Sequence, residues 1–272
     1  MAFIGEINRL KVVKQVEFGV YVDGGNWGDI LLPKRYVPEG VGEGSELDVF
    51  IYNDSEDRLI ATTEKPLAVV GEFAMLKVVA VGSFGAFMDW GLPKDLLVPT
   101  NQQKEGMLKG KSYLVRLYLD QKTNRIAASA KLGKFVDLQT PNLEEGDEVD
   151  LLIWRKTDLG YTAIINNAHS GMIYANEIFQ TIEIGQKLKG FVKKVRPDGK
   201  IDLSLNAIGY EKVGDVADRI LKVLNASGGY MEINDKTEPE VIYNIFGESK
   251  KTFKKAIGAL YKQRVINITD KG

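Results

Sequence analysis

Short runs of aliphatic, β-branched and aromatic residues alternate with clusters of Gly, Asp and Asn along the first two hundred residues of the chain. Runs of this length with this punctuation predict β-strands rather than helices. The first five predicted strands are Ile4–Lys14, Phe18–Asp23, Asp29–Leu32, Leu47–Asn53 and Arg58–Thr62. Five short strands in about 60 residues, separated by turn signals, are typical of a small closed barrel of the OB type.

The same pattern returns later in the chain. The string Phe-Gly-Val-Tyr-Val-Asp at 18–23 recurs 66 residues further on as Phe-Gly-Ala-Phe-Met-Asp at 84–89. A fixed period of this size indicates tandem domains rather than one large core. The second set of predicted strands is Glu72–Val81, Phe84–Trp90, Asp95–Val98, Tyr113–Asp120 and Arg125–Ala130.

A third, degenerate copy of the strand pattern follows. The spacing from Gly85 to Gly160 is 75 residues, which indicates a short insertion relative to the first repeat. The predicted strands of this copy are Gly146–Trp154, Gly160–Asn166, Gly171–Tyr174, Gly190–Val195 and Lys200–Leu205.

After residue 206 the apolar residues change to a helical period. Val216 and Ile220 share a helical face, Pro239–Phe246 reads as a second helix, and Ser249 is a suitable N-cap for a third. A strand is predicted at Val265–Ile268. Three helices and a strand resemble a winged helix-turn-helix. The predicted fold is thus multidomain and mainly β. Three tandem S1-like OB-fold barrels are expected at 1–64, 65–138 and 139–206, and a winged-helix domain at 207–272.

Composition places the chain among ordinary soluble globular proteins, with 44% hydrophobic and 27% charged residues. It has no run of about 18 apolar residues, so no membrane span is predicted. Its first residues lack a basic region followed by a long apolar core, so no secretory signal is expected. The sequence has no Cys, which excludes disulfides and thiolate metal sites. These features predict a cytoplasmic protein.

Charge is unevenly distributed along the chain. The net charge is −1, which argues against a uniformly basic nucleic-acid binder. Residues 3–62 carry six Lys and Arg against eleven Asp and Glu, whereas residues 71–134 carry ten against five. A polyanion would therefore be attracted to the second repeat.

In each of the first two repeats, one aromatic residue comes directly before a glycine and a second follows two residues after it. A bulge at Gly19 and at Gly85 is predicted to bring Phe18 and Tyr21, or their second-repeat counterparts Phe84 and Phe87, onto one face. Two exposed rings on a barrel face form a platform on which bases stack. Burial of these rings in the core is the alternative, because strand aromatics are more often buried.

The sequence offers little for catalysis. His169 is the only histidine and is interpreted as an exposed turn residue. With no Cys in the sequence, neither a zinc site nor a histidine general base is expected. The acidic pairs Glu56-Asp57 and Glu144-Glu145 lie in loop-like stretches and are interpreted as solvated. No phosphate-binding or nucleophile motif is present. A non-enzymatic protein without cofactor or metal is predicted.

The third predicted helix has a basic surface around its apolar stripe. A recognition helix in a major groove has this pattern, and so has a solvated helix face. Lysines suit phosphates better than base edges, so contact with RNA or protein is favoured over reading of DNA sequence. The lysines expected to contact nucleic acid are Lys250, Lys251, Lys254 and Lys255.

The Phe-Gly-x-aromatic unit and the Arg-led last strand resemble the S1 family of RNA-binding OB folds. Together with the segments Ile30–Tyr36, His169–Tyr174 and Ser249–Lys254, the ordered set of domains is similar to the bacterial conserved virulence factor B family. The resemblance implies RNA contacts at the two aromatics of each copy and at an Asp and an Arg near the last strand. These positions are Phe18, Tyr21, Asp54, Arg58, Phe84, Phe87 and Arg125.

The chain departs from the S1 pattern at several positions. Leu159 and Thr162 stand where the third copy should carry its aromatics, so its platform is expected to be lost. S1 domains commonly place a His on the third strand, where this chain is expected to have Leu32, Val98 and Tyr174. Tyr174 stays a candidate for stacking.

The leading hypothesis is a bacterial protein that binds single-stranded RNA and regulates gene expression, including that of virulence factors, after transcription. Bases are expected to stack on the second barrel while phosphates follow Lys77, Arg116, Arg125 and Lys131. Two alternatives stay open. One is a DNA-binding transcriptional regulator acting through the winged helix, and the other is a scaffold for ribosomal or RNA-decay proteins.

Overall fold

The structure is a computed structural model that describes residues 1–139, 141–178, 180–206, 211–269 and 272, with side chains described outside 211–215. The chain divides into two compact units, Met1–Val136 and Asp137–Gly272. The first unit holds two barrels, and the second holds the third barrel and the helices. No helix in the described ranges is long and apolar enough to cross a membrane.

The first barrel is closed. Its sheet runs in the order β1-β2-β3-β5-β4, and the parallel contact of Leu31 with Ile60 joins β3 to β5. Alternate residues of each strand point inward, as the two-residue period of a strand requires, and bury side chains such as Val22, Leu32 and Ile51. The strands are β1 Ile7–Val16, β2 Gly19–Asp23, β3 Asp29–Pro33, β4 Glu46–Asn53 and β5 Leu59–Thr62.

The second sheet has the same circular order but is not closed by a ladder. It runs β10-β9-β6-β7-β8, and no β8–β10 pairing is formed among the described residues. At this seam the side-chain amide of Gln103 donates to the Val98 carbonyl at 3.0 Å, and the Ala130 N–H donates to the Gln102 carbonyl at 2.9 Å. These bonds stand where a ladder closes the first barrel, and the sheet keeps the predicted barrel order of strands. The strands are β6 Phe73–Gly82, β7 Gly85–Asp89, β8 Leu96–Pro99, β9 Ser112–Asp120 and β10 Arg125–Ser129.

The third barrel is confirmed and is closed in the order β11-β12-β13-β15-β14. Its register corrects one expectation. Gly160 pairs with Tyr174, as Gly85 pairs with Pro99, so Ile173 and not Tyr174 stands at the position of Val98. The stretched spacing of this copy hid the one-residue difference. The strands are β11 Glu148–Thr157, β12 Gly160–Ile165, β13 His169–Tyr174, β14 Lys187–Val195 and β15 Ile201–Ser204.

A glycine opens the second strand of every barrel because a neighbouring carbonyl lies too close for any side chain. Gly85 has φ +146°, and a Cβ there would lie 2.1 Å from the Val98 carbonyl oxygen. The predicted bulge at this glycine was wrong. The register shift lies on the facing strand, between Val78 and Ala80. The same arrangement recurs at Gly19 and Gly160, with register shifts at Val12/Lys14 and Ile153/Arg155.

The substitution Gly85→Ala should lower the free energy of unfolding by about 1–3 kcal/mol, because the new Cβ forces the backbone away from Val98. Urea unfolding of the full chain measures this. Gly106→Ala is the matched control, since nothing lies within 4 Å of a Cβ at that position. Equal midpoints for the two variants would contradict the steric explanation.

Strand β4 is buried on both faces, and this joins the first two barrels. Ile51 points into the first barrel, whereas Phe50 and Tyr52 belong to the core cluster of the second. The Trp90 ring lies edge-on to both, with centroids 5.7 Å from Phe50 and 6.3 Å from Tyr52. Burial raises the pKa of Tyr52 to about 12. The two barrels therefore share one continuous apolar cluster.

The C-terminal helices pack around a small core in which the Phe246 and Phe253 rings stack at 5.1 Å. The Ser249 side chain accepts from the Thr252 N–H, so the predicted N-cap is confirmed. The predicted strand at Val265–Ile268 is wrong, because this segment forms no ladder among the described residues. Its Ile side chains pack on the helices instead. The helices are α1 Glu211–Ala226, α2 Pro239–Phe246 and α3 Lys250–Lys262.

Candidate nucleic-acid interface

The aromatic pair of the first barrel lies on its surface. Phe18 precedes β2 and is 59% exposed, and Tyr21 on β2 is half-buried. Their rings meet edge to face, with centroids 6.5 Å apart and planes at 81°. An edge-to-face pair of this kind leaves ring surface available to a third aromatic group.

The aromatic pair of the second barrel borders a cavity. Phe84 is 75% exposed and Phe87 is half-buried on β7, and both line a space of about 470 Å³. The interpretation that these rings are core was wrong for Phe84, as it was for Phe18. An exposed Phe beside a mostly apolar cavity is typical of a binding surface, because such a side chain gains nothing from the fold itself.

The other wall of this cavity comes from the first barrel. Tyr52 and Asn53 at the end of β4, and Asp57 in the turn that follows, face the rings of the second barrel. The Asn53 side-chain oxygen is buried and accepts no hydrogen bond within the described part of the protein. A buried acceptor without a donor is costly, so this oxygen is available to a ligand N–H group.

Two cations of the second barrel lie at the cavity and bind one carboxylate of the first. The Arg125 guanidinium donates to Asp57, and the Lys94 ammonium lies 3.2 Å from the other Asp57 oxygen. Lys94 also donates to the Asp54 carbonyl at 2.6 Å. Asp57 is exposed in a turn, as predicted, but it also pairs with these two cations of the second barrel. The Asp57–Arg125 pair spans 68 positions of the chain, so no local signal could reveal it.

Asp54 and Arg58, both implied as RNA contacts, bind each other. The Arg58 guanidinium donates to Asp54 at 2.9 and 2.7 Å, and the Arg58 N–H donates to the same carboxylate at 3.0 Å. Partial burial would raise the pKa of Asp54, but these hydrogen bonds outweigh it and hold that pKa below its usual value. The pair fixes the turn between β4 and β5, and a role in RNA contact stays a prediction.

Arg116 is enclosed by aromatic rings rather than placed at the cavity. Its guanidinium lies 4.7 Å from the Phe135 ring centroid and 5.4 Å from that of Phe73. The Phe135 ring also stacks on Tyr118 at 6.2 Å. Burial lowers the pKa of Arg116. These contacts give Arg116 a packing role, and its contact with phosphate stays a prediction.

The remaining two basic residues predicted for the second barrel lie on its strands and connections. Lys77 is exposed on β6, opposite Asp89 on β7. Lys131 is half-buried just after β10. Neither lines the cavity formed by the described residues, which brings together only Phe84, Phe87 and Arg125 of the predicted second-barrel site.

The third barrel lacks an aromatic platform. Leu159 is 63% exposed at the position of Phe84, and Thr162 is buried at the position of Phe87. The Tyr174 hydroxyl accepts a hydrogen bond from Arg196, whose guanidinium also donates to Asp202 at 3.0 Å. Tyr174 is thus held in a polar network at the edge of this barrel, and its stacking on RNA stays a prediction.

The four predicted lysines of α3 fall into two groups. Lys250 donates to the Lys236 carbonyl at 3.2 Å, and Lys254 lies 3.2 Å from the Asp235 carboxylate. Lys251 and Lys255 are exposed on the helix surface. Among the described residues, no group of three or more His, Asp or Glu side chains is placed to hold a metal ion.

The fold and these surfaces define a class of protein in which OB-fold barrels are joined to a winged helix. Residues 4–64 match the S1 domain family, and residues 218–272 match the CvfB-like winged helix domain family. Both are nucleic-acid-binding domain types, so the chain carries the features of a nucleic-acid-binding protein.

Relatives of this chain match it along nearly its full length. The chain is 26% identical over 279 residues to conserved virulence factor B of Staphylococcus aureus (strain USA300), covering 97% of this chain and 91% of that protein. It is 29% identical over 265 residues to the uncharacterized protein YitL of Bacillus subtilis (strain 168), covering 95% and 89%. The expected resemblance to the conserved virulence factor B family is confirmed.

A solved structure also matches along nearly the full length. It is a multidomain protein with nucleic acid binding domains from Streptococcus pneumoniae TIGR4, with 26% identity and a TM-score of 0.42. The match covers 99% of this chain and 97% of that one.

Proposed function

We propose that this protein is a non-enzymatic binder of single-stranded RNA whose main contact surface is the second barrel. The observation that carries the proposal is the exposed Phe84 beside Phe87 at the mouth of a cavity of about 470 Å³. Base stacking on such rings contributes about 1–3 kcal/mol per base and tolerates any sequence. Single strands present unstacked bases, whereas a duplex does not.

The charges around the cavity support an anionic ligand. Arg125 and Lys94 lie at the same cavity as the rings, so a base on the platform carries its phosphate toward cations. The second repeat also has twice as many basic as acidic residues, ten against five. Phosphate contacts position a strand while the stacked bases add affinity.

The winged helix acts as a second, weaker contact in this proposal. Lys251 and Lys255 are exposed on α3, and linkage to the barrels raises their effective concentration near a bound strand. Long flexible RNA therefore gains affinity from contacts that would be weak alone. By extension from the relatives' name, the regulated genes include those for virulence factors, and regulation occurs after transcription.

Titration of the full chain with labelled single-stranded RNA, single-stranded DNA and duplex DNA at several salt concentrations tests the function. RNA should bind most tightly. The log–log salt slope should be about −2 to −3.5, because about three to five phosphates are contacted at about 0.7 each. Tighter binding of duplex DNA would favour a DNA regulator. Absence of binding to all three would favour a protein scaffold.

A further inference from the structure

The cavity between the first and second barrels has an internal anion at its rim. Asp57 extends from the β4–β5 turn of the first barrel and binds Arg125 and Lys94 of the second. Both cations line the same cavity as Phe84 and Phe87. A carboxylate thus occupies the position where a ligand stacked on these rings would bring its own negative charge.

The two cations differ in how they are held. The Lys94 ammonium is anchored by the Asp54 carbonyl as well as by Asp57. Arg125 binds Asp57 alone among the described side chains, and its side chain is 55% exposed. Arg125 is therefore free to exchange one oxygen anion for another without leaving the cavity.

The Asp57 carboxylate and a phosphodiester can bind these cations in the same way. Each is a single negative charge spread over two oxygens, and a guanidinium binds either through paired N–H donors. The Asp57–Arg125 pair is solvent-exposed, and pairs of this kind contribute about 0–1 kcal/mol. The free energy lost when a phosphate displaces Asp57 is therefore no larger than the stacking energy of one base.

We propose that Arg125 and Lys94 form a phosphodiester site for a nucleotide whose base lies on Phe84 and Phe87, and that Asp57 fills this site in the free protein. The inference rests on the proposed RNA-binding function. The first barrel then takes part in binding at the second: its carboxylate competes with RNA, and RNA binding releases it. The apparent affinity is lowered by this internal competitor.

Asp57→Asn isolates the competing charge. Asp57 has φ +63°, a conformation that Asn tolerates well, and the two side chains have nearly the same shape. Single-stranded RNA should bind about three- to fivefold more tightly to this variant, since about 1 kcal/mol of competition is removed. The log–log salt slope should stay about the same, because Arg125 and Lys94 contact the same phosphate in both proteins once RNA is bound.

Glu56→Gln is the matched control. It removes the same charge from the same turn, but Glu56 binds only Arg58 of the first barrel among the described cations. Asp57→Gly is a second test variant, because glycine also accepts the positive φ and leaves Arg125 without a carboxylate. In the double variant Asp57→Asn with Arg125→Ala, the gain should disappear.

Equal or weaker RNA binding by both Asp57 variants, compared with Glu56→Gln, would overturn the inference. This result is distinct from failure of the proposed function. If the unmodified protein binds no RNA, or binds it independently of Phe84 and Phe87, the function itself is wrong. If binding depends on those rings but not on Asp57, only the internal competition is wrong.

Discussion

Replacing Phe84 and Phe87 together by Ala should weaken single-stranded RNA binding about ten- to a hundredfold while the protein stays folded. The loss corresponds to stacking of about one base, which contributes about 1–3 kcal/mol. Phe84 is 75% exposed, so its removal leaves no cavity in the core. Affinity is measured by titration with a labelled oligonucleotide, and stability by urea unfolding of the same samples.

Leu159→Ala is the control for this experiment. Leu159 is 63% exposed at the equivalent position of the third barrel, where no aromatic partner is present. Its truncation should leave RNA affinity within about twofold of the unmodified protein, because an aliphatic side chain offers no stacking surface. If the double Phe variant instead loses several kcal/mol in free energy of unfolding, the rings contribute to the core.

Trp90→Ala should lower the free energy of unfolding of the two-barrel unit by about 3–5 kcal/mol. The ring is buried against Phe50 and Tyr52, and its indole N–H donates to the Lys94 carbonyl at 2.6 Å. Truncation leaves a large cavity in the apolar cluster that both barrels share. Hydrogen exchange should therefore show lost protection in β4 of the first barrel as well as in β7 of the second.

Trp27→Ala provides the comparison for Trp90. Trp27 is 42% exposed in the first barrel and donates to the Ala2 carbonyl at 3.2 Å. Its removal should cost about 1 kcal/mol, since little apolar surface and one hydrogen bond are lost. Similar losses for Trp27 and Trp90, with exchange changes confined to the mutated barrel, would show that the barrels are energetically independent.

Features set by neighbouring residues could be predicted from the sequence. The repeat located all three barrels, and Pro239 and Gly247 fixed the bounds of α2 because they begin and end a helix locally. The prediction of a strand at Val265–Ile268 was wrong for the opposite reason. A strand exists only when another strand pairs with it, and β-propensity does not supply the partner.

The same distinction between local and distant determinants applies to the residues of the candidate site. The exposed rings were anticipated because their repeat beside a glycine is visible in the chain. Arg116 was expected among phosphate contacts, yet its environment depends on Phe135, which arrives from beyond the last strand of its barrel. Asp57 was missed because it acts across the barrels. Both depend on packing between segments that are distant in sequence.

The docking role of β4 is visible in the sequence. Residues 49–52 read Val-Phe-Ile-Tyr without polar alternation, and an unbroken apolar run is typical of a strand covered on both faces. That run marks β4 as the strand on which a second element docks. The corresponding stretch of the second barrel, Val-Arg-Leu-Tyr at 115–118, keeps a charge within it.

That difference distinguishes the outer face of the second barrel from that of the first. Docking of Trp90 on Phe50 and Tyr52 is a head-to-tail contact, and such a contact polymerises without limit if each added copy presents the same acceptor. Arg116 and Tyr118 stand 66 positions after Phe50 and Tyr52, and Phe135 covers them. The second barrel therefore covers its own equivalent of the face on which Trp90 docks in the first.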